Sequence, residues 1–205
     1  DLNRVAELSY VRVDGHGVTI GAMARHAAVE RDDSAYAAQP LLRRALRLVA
    51  HPVIRNRGTT VGSLAHADPS VELPAVLALL DGSVEIASMQ GVRVVGAQDF
   101  FVGPLETSLR PGEVVSAARF PRSPHGTGTA FVEVSRRHGD YAVAGLAAAV
   151  QVDGEGRVGA ARAAYIARYL DFLPAGSLSG RRIAVYEHSS VAREILAEVL
   201  AGLGA

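Results

Sequence analysis

Residues 55–80 read RNRGTTVGSLAHADPSVELPAVLALL, and the fold turns on how this stretch divides. Its first half has no helix or strand period; its second half changes abruptly to an apolar helix. Gly58 and Gly62 bracket Thr59, Thr60 and Val61, and Ser63 follows. Small residues let a backbone approach a ligand closely, and their hydroxyls and N–H groups can face phosphate oxygens. Asp68 and Pro69 read as a helix start, with Asp at the cap and Pro at the first helical position. Pro74 is a second candidate for that position and moves the start to about Glu72. A loop that delivers N–H groups beside a helix N-terminus is an anion site. The same Gly, Ser and Thr also make an ordinary connection. Both readings stand at this point.

Upstream, Pro40 opens a helix expected to reach about Ala50. Leu41, Leu42, Ala45, Leu46, Leu48 and Val49 form its apolar stripe, and Arg43, Arg44 and Arg47 lie largely on the other side. Those arginines are either a solvated face or an electrostatic dock. Ala24–Arg31 reads as a short helix. Val11–Val13 and Val18–Ala22 are strand-like around Asp14-Gly15-His16-Gly17, a hairpin signal. Downstream, Ser83–Ala87 and Val92–Val95 read as strands on either side of Met89-Gln90-Gly91. Glu113–Phe120, Thr129–Arg137 and Ala142–Val152 are expected strands, and 153–156 a turn. A soft boundary lies between about Gln98 and Pro111. No internal repeat and no low-complexity segment is visible.

The chain of 205 residues has room for one large or two small domains. Lys plus Arg equals Asp plus Glu, 21 each, so no global field draws it to nucleic acid or an anionic membrane. It has no cysteine, which excludes disulfides, cysteine-ligated zinc and iron–sulfur clusters within it. Redox chemistry here needs a bound organic cofactor, with metal centres on other chains. No run approaches the ~18 apolar residues of a membrane span, and the N-terminus is no signal peptide. The expectation is a cytoplasmic protein. The opening Asp-Leu-Asn, in place of Met, suggests a fragment.

Residues 55–80 resemble the second flavin-contacting segment of the FAD-binding subunit of molybdenum hydroxylases, the xanthine dehydrogenase and carbon monoxide dehydrogenase type. The family form is R-N-x-G-T-I-G-G-S/N, then a spaced acidic residue and Leu-Pro. Arg55, Asn56, Gly58, Thr59, Gly62, Ser63, Glu72, Leu73 and Pro74 match it, while Val61 stands where the family has a glycine. Restoring that glycine is expected to strengthen flavin binding. DLNRVAELSYVRV (1–13) and VTIGAMARHAAVERD (18–32) are similar to the family as well, with His26 at its recurrent histidine, either orienting a loop or simply structural. Asp99-Phe100-Phe101-Val102-Gly103-Pro104 resembles the D-F-F-x-G-P/Y turn, whose phenylalanines either flank a flavin or plug a domain junction. Residues 135–142, SRRHGDYA, match the R-R-x-G-D-x-A signature. There Arg136, Arg137 and Asp140 either hold a phosphate or partner, or close a turn with a surface ion pair.

The resemblance covers about residues 1–162. From Ala163 the sequence AAYIARYLDFLPAGSLSGRRIAVYEHSSVAREILAEVLAGLGA is similar to one β-α unit of the phosphomannomutase/phosphoglucomutase type. It has a strand at Arg182–Tyr186, a cap at Ser189 or Ser190, and an apolar helix face through Ile195, Val199 and Leu203. It lacks the phosphoserine loop and metal-binding Asp cluster of a mutase.

Other chemistry finds little support. None of the seven histidines pairs at the i, i+4 spacing of a zinc protease. His66 with Asp68 is the nearest thing to a metal or acid–base pair, and alternate loop residues carry little information. There is no G-x-S-x-G elbow, G-x-G-x-x-G or P-loop motif. No catalytic or metal-ligating residue is assigned.

The resemblance implies an α+β fold. Residues 1–100 would be the second sub-domain of a PCMH-type FAD-binding domain, and 101–162 part of a CO dehydrogenase flavoprotein C-terminal-like β-sheet/helix domain. Residues 163–205 would be a foreign β-α unit. It implies FAD as cofactor, held by Asn56, Thr59, Thr60, Val61, Gly62, Ser63, Asp68 and Glu72. Molybdopterin and iron–sulfur clusters would sit on partner subunits only, and electrons would pass from those clusters through FAD to an acceptor. The family's other flavin loop, A-G-G-x-S/T, would lie upstream of Asp1, so this chain alone is expected to bind FAD weakly. The alternatives are a cofactor-free assembly piece and a nonfunctional fusion.

Overall fold

The structure, a computed structural model, describes residues 2–151. The turn at 153–156 and the β-α unit after 163 lie outside the described residues. Nine strands, seven short α-helices and one 3-10 turn (Ala6–Leu8) follow one another within them. β1 (Val11–Val13) and β2 (Gly17–Gly21) form the expected hairpin. Asp14 closes its turn by accepting from the N–H groups of His16 and Gly17 at 2.7 and 2.9 Å. Gly17 has φ 153°, and any Cβ there would collide with the Phe120 carbonyl of the adjoining strand.

Helices α1 (His26–Arg31), α2 (Asp33–Ala38) and α3 (Pro40–Leu46) follow. α2 escaped the sequence reading; Asp32 caps it by accepting from the Ala35 N–H at 2.9 Å. α3 ends well short of Ala50. Ala50 takes a left-handed φ of 40°, and the Arg55 guanidinium collects the carbonyls of Val49 and Ala50 at 3.0 and 3.2 Å. Those carbonyls therefore turn out of the helical ladder. Of the three arginines, Arg43 pairs with Asp33 at 2.7 Å and lies over the Tyr36 ring, while Arg44 and Arg47 are exposed. α4 (Pro52–Arg55), α5 (Thr60–His66) and α6 (Glu72–Leu79) complete the helical layer.

The β3–β4 hairpin (Ser83–Ser88, Gly91–Gly96) is as expected. α7 (Ala97–Phe100) then leads into the small pair β5 (Phe101–Gly103) and β6 (Glu106–Thr107). The 99–104 segment is thus a helix end running into a strand. Phe100 and Phe101 meet edge-on at 5.0 Å, both buried in the core. β7 (Val114–Pro121) inserts between the two hairpins, giving an antiparallel sheet of order β1-β2-β7-β3-β4. A boundary near residue 100 would therefore cut β3 from its hydrogen-bonded neighbour. Leu41, Leu42, Leu46, Leu64, Leu73 and Leu77 from the helices pack with Ile20, Ile86 and Phe120 of the sheet in one core. β8 (Thr127–Ser135) and β9 (Ala142–Gln151) form a separate hairpin that packs on α3 and α6.

Candidate functional site

The polar half of the 55–80 stretch is no loop: residues 60–66 form α5. Thr59 supplies the cap, with extended backbone and its Oγ1 accepting from the Gly62 N–H at 3.1 Å. A neighbouring segment braces this start. Thr59 bridges Arg25, His26 N–H donates to the Gly58 carbonyl at 3.0 Å, and Thr60 N–H donates to the Ala24 carbonyl at 3.3 Å. Arg55 ties the bracing together through Glu30 at 2.9 Å, with both side chains largely buried. These bonds explain why Gly, Thr and a buried histidine recur here without a helical period.

The expected donor set therefore divides. Thr60 is buried, its hydroxyl 3.4 Å from His26 Nδ1. Burial, helped by the Arg55 charge, lowers the His26 pKa to about 4, so the ring is neutral at pH 7. The Val61 side chain is 2% exposed and belongs to the core, so it points away from solvent. Thr59 and Gly62 satisfy each other. The Val61 N–H has no acceptor among the described residues, and the half-buried Ser63 hydroxyl likewise has none. Gly62 is exposed, and a Cβ there would meet only the Thr59 side chain. That bare backbone beside a free N–H and a free hydroxyl suits close approach by an anionic group such as a diphosphate. Asn56, exposed, is the C-cap of α4.

Between α5 and α6 the chain turns through Ala67, which is left-handed at φ 52° and whose carbonyl accepts from Leu105 N–H at 2.9 Å. Asp68 is not a helix cap. It accepts from the Ser70 N–H at 2.8 Å, and its other oxygen lies 4.0 Å from exposed His66. Among the described residues no group of three His, Asp or Glu is placed to hold a metal. α6 starts at Glu72, the second of the two starts considered. Glu72 is 9% exposed, and burial raises its pKa to about 7, with the charge of Glu133 adding to the effect.

Two features here escaped the sequence reading. Glu133 in β8 comes to Glu72 from the hairpin, and burial raises its pKa in turn. The signal was an acidic residue in an alternating strand. The second is Gly139 (φ 86°) in the RRHGD turn, where any Cβ would strike the His51 ring, while His138 stands edge-on to His51 at 5.9 Å. The expected ion pair of that turn is absent among the described residues; Ser135 Oγ and Asp140 N–H both donate to the Arg137 carbonyl instead. The arrangement offers hydrogen-bond donors and acceptors on consecutive helices and no paired nucleophile and base.

Residues 1–123 match the profile of the FAD binding domain in molybdopterin dehydrogenase. The chain is 44% identical over 162 residues to the 6-hydroxypseudooxynicotine dehydrogenase complex subunit alpha of Paenarthrobacter nicotinovorans, covering 79% of this chain and 55% of that one. It is 36% identical over 154 residues to the carbon monoxide dehydrogenase medium chain of Afipia carboxidovorans, covering 75% and 54%. The solved carbon monoxide dehydrogenase of Hydrogenophaga pseudoflava superposes with a TM-score of 0.74 at 37% identity, over 78% of this chain and 55% of that one. The chain thus spans about half the length of the relatives it matches. With the profile running through β7, the last strand of the five-stranded sheet, this chain belongs to the FAD-binding domain family of the molybdopterin dehydrogenases.

Proposed function

We propose that the chain is the flavin-holding part of a cytoplasmic molybdenum-hydroxylase-type oxidoreductase. Electrons enter from iron–sulfur clusters on a small partner subunit, which a molybdopterin subunit feeds, and leave through FAD to an acceptor. The observation that carries this reading is the family match over residues 1–123. The redox names of relatives such as the carbon monoxide dehydrogenase medium chain support it. Among the described residues no helix is long and apolar enough to cross a membrane.

Bound FAD would supply the redox chemistry. The residues of the chain bind and orient it. The Val61 N–H and Ser63 hydroxyl serve its diphosphate, and Gly62 keeps the approach open. Thr59 and Thr60 hold that backbone in place, Thr59 as cap and Thr60 from the core side. Glu72, Asp68 and Asn56 provide hydrogen bonds along the rest of the ligand.

Thermal melts in FAD test the binding step. A ligand at 100 times its Kd adds roughly 2.7 kcal/mol. Stabilisation by millimolar FAD is expected, to be smaller with riboflavin and to weaken in Ser63→Ala. No stabilisation by millimolar FAD, or equal stabilisation by riboflavin, would refute a diphosphate site here.

A further inference from the structure

Pro104 and Leu105 join β5 to β6 between the paired Gly103 and Glu106. In a turn with proline at its first central position and a positive φ at its second, glycine or asparagine ordinarily fills the second. Leu105 fills it here, at φ 58°. A bulky side chain in the left-handed region is strained against its own backbone. Packing does not compensate, because Leu105 is 61% exposed. Neither the turn nor the core asks for leucine.

The turn is tied to the candidate site. Leu105 N–H donates to the Ala67 carbonyl at 2.9 Å, and Ala67 is itself left-handed at φ 52°. The next residue is Asp68, one of the acceptors offered to the flavin. Along α5, Val61 and Ala67 are six residues apart, a rise of about 9 Å. That is about one ribose or ribityl length, the spacer between the diphosphate of FAD and each of its two rings.

We propose that the Leu105 side chain is an apolar contact for a planar ring of bound FAD, presented at the far end of α5 by this strained turn. The contact rests on the flavin reading above and adds a residue outside the diphosphate set. A leucine against a flat ring removes apolar area from water on both sides. The bond to Ala67 fixes where that side chain stands, so less freedom is lost when the ring arrives. Isoalloxazine and adenine share this chemistry, and the fragments of FAD tell them apart.

Leu105→Gly separates a ring contact from a structural role, because the two move its properties in opposite directions. Glycine relieves the strained φ, so the unliganded chain should melt at the same temperature or higher. The folded chain should nevertheless bind FAD about tenfold more weakly, the scale of losing most of a buried leucine side chain. Leu105→Asn tolerates the same φ but is polar, and should weaken binding as glycine does. Leu105→Met stays apolar and should keep most of the natural affinity. Titrations with FMN and with ADP assign the ring: weaker FMN binding by the glycine variant supports a contact with isoalloxazine, and weaker ADP binding supports one with adenine. A glycine variant that binds FAD, FMN and ADP as the natural chain does would overturn the contact. So would one that loses stability and affinity together. Ser63→Ala is measured alongside. If it weakens FAD binding while Leu105→Gly does not, the ring contact fails and the diphosphate site stands; no FAD binding by the natural chain overturns both.

Discussion

Val61→Gly separates what the family pattern implies from what the fold demands. The pattern has glycine at this position and implies freer backbone beside the flavin. The structure places the Val61 side chain in the core at 2% exposure, on the second residue of α5. Removing its three carbons forfeits about 0.8 kcal/mol each, or roughly 2.4 kcal/mol, before the cavity is counted. Glycine in the first turn of a helix adds a few tenths more relative to valine. The sum is about 3 kcal/mol, a large share of the ~5–15 kcal/mol that holds a typical domain together. Urea melts at pH 7 read it as a lower midpoint with unchanged slope. Val61→Ala should fall between the two, at about 2 kcal/mol. A glycine variant within ~0.5 kcal/mol of the natural chain would refute the buried placement of this side chain. Flavin titration of the folded fraction then asks separately whether glycine improves binding.

Two further outcomes are expected. Arg55→Ala strands Glu30 and the carbonyls of Val49 and Ala50, for a loss of about 2–4 kcal/mol in urea melts; Arg55→Lys keeps the charge but loses the fork, and should recover only part. His26, held near 4 against 6.5 when unfolded, supports the fold fully above 6.5 and loses that support as pH falls toward 4, at up to ~1.4 kcal/mol per pH unit. Glu72 has the opposite slope from 4.5 to 7, so the measurement is the difference between natural and His26→Gln melts across this range, and an unchanged acid limb in the variant would refute the buried neutral ring.

Much of the fold was legible because its signals were local. Asp14-Gly15-His16-Gly17 and Met89-Gln90-Gly91 mark hairpins by turn chemistry alone, and both are found where expected. Residues 59–66 were not: the Thr59 cap is local, but the brace from Ala24–His26 that holds the helix start comes from about 35 residues away. Nor was the end of α3, since Arg55, from outside the helix, holds the carbonyls of Val49 and Ala50 that follow it. Alternation misleads in β8, where Val132 and Val134 lie outward at 63% and 64% exposed while Glu133 turns inward. Of the site, the residue types were readable and their orientations were not: Thr60 and Val61 both belong to the expected donor set, yet their side chains face the core.

The position of β7 sets the order in which this protein can be made. Val18 of β2 pairs with Phe120, and Val84 of β3 pairs with Ala118. A ribosome delivers the two outer hairpins first, and neither pairs with the other. Until residues 114–121 emerge, β2 and β3 each present an open edge, and the helices have only fragments of sheet to cover. Pairings of such long sequence separation form slowly and late. A nascent chain paused before Phe120 is therefore at its most adhesive, and a chaperone that shields strand edges would act in that interval. Completion of one eight-residue strand ends the exposure of both edges at once.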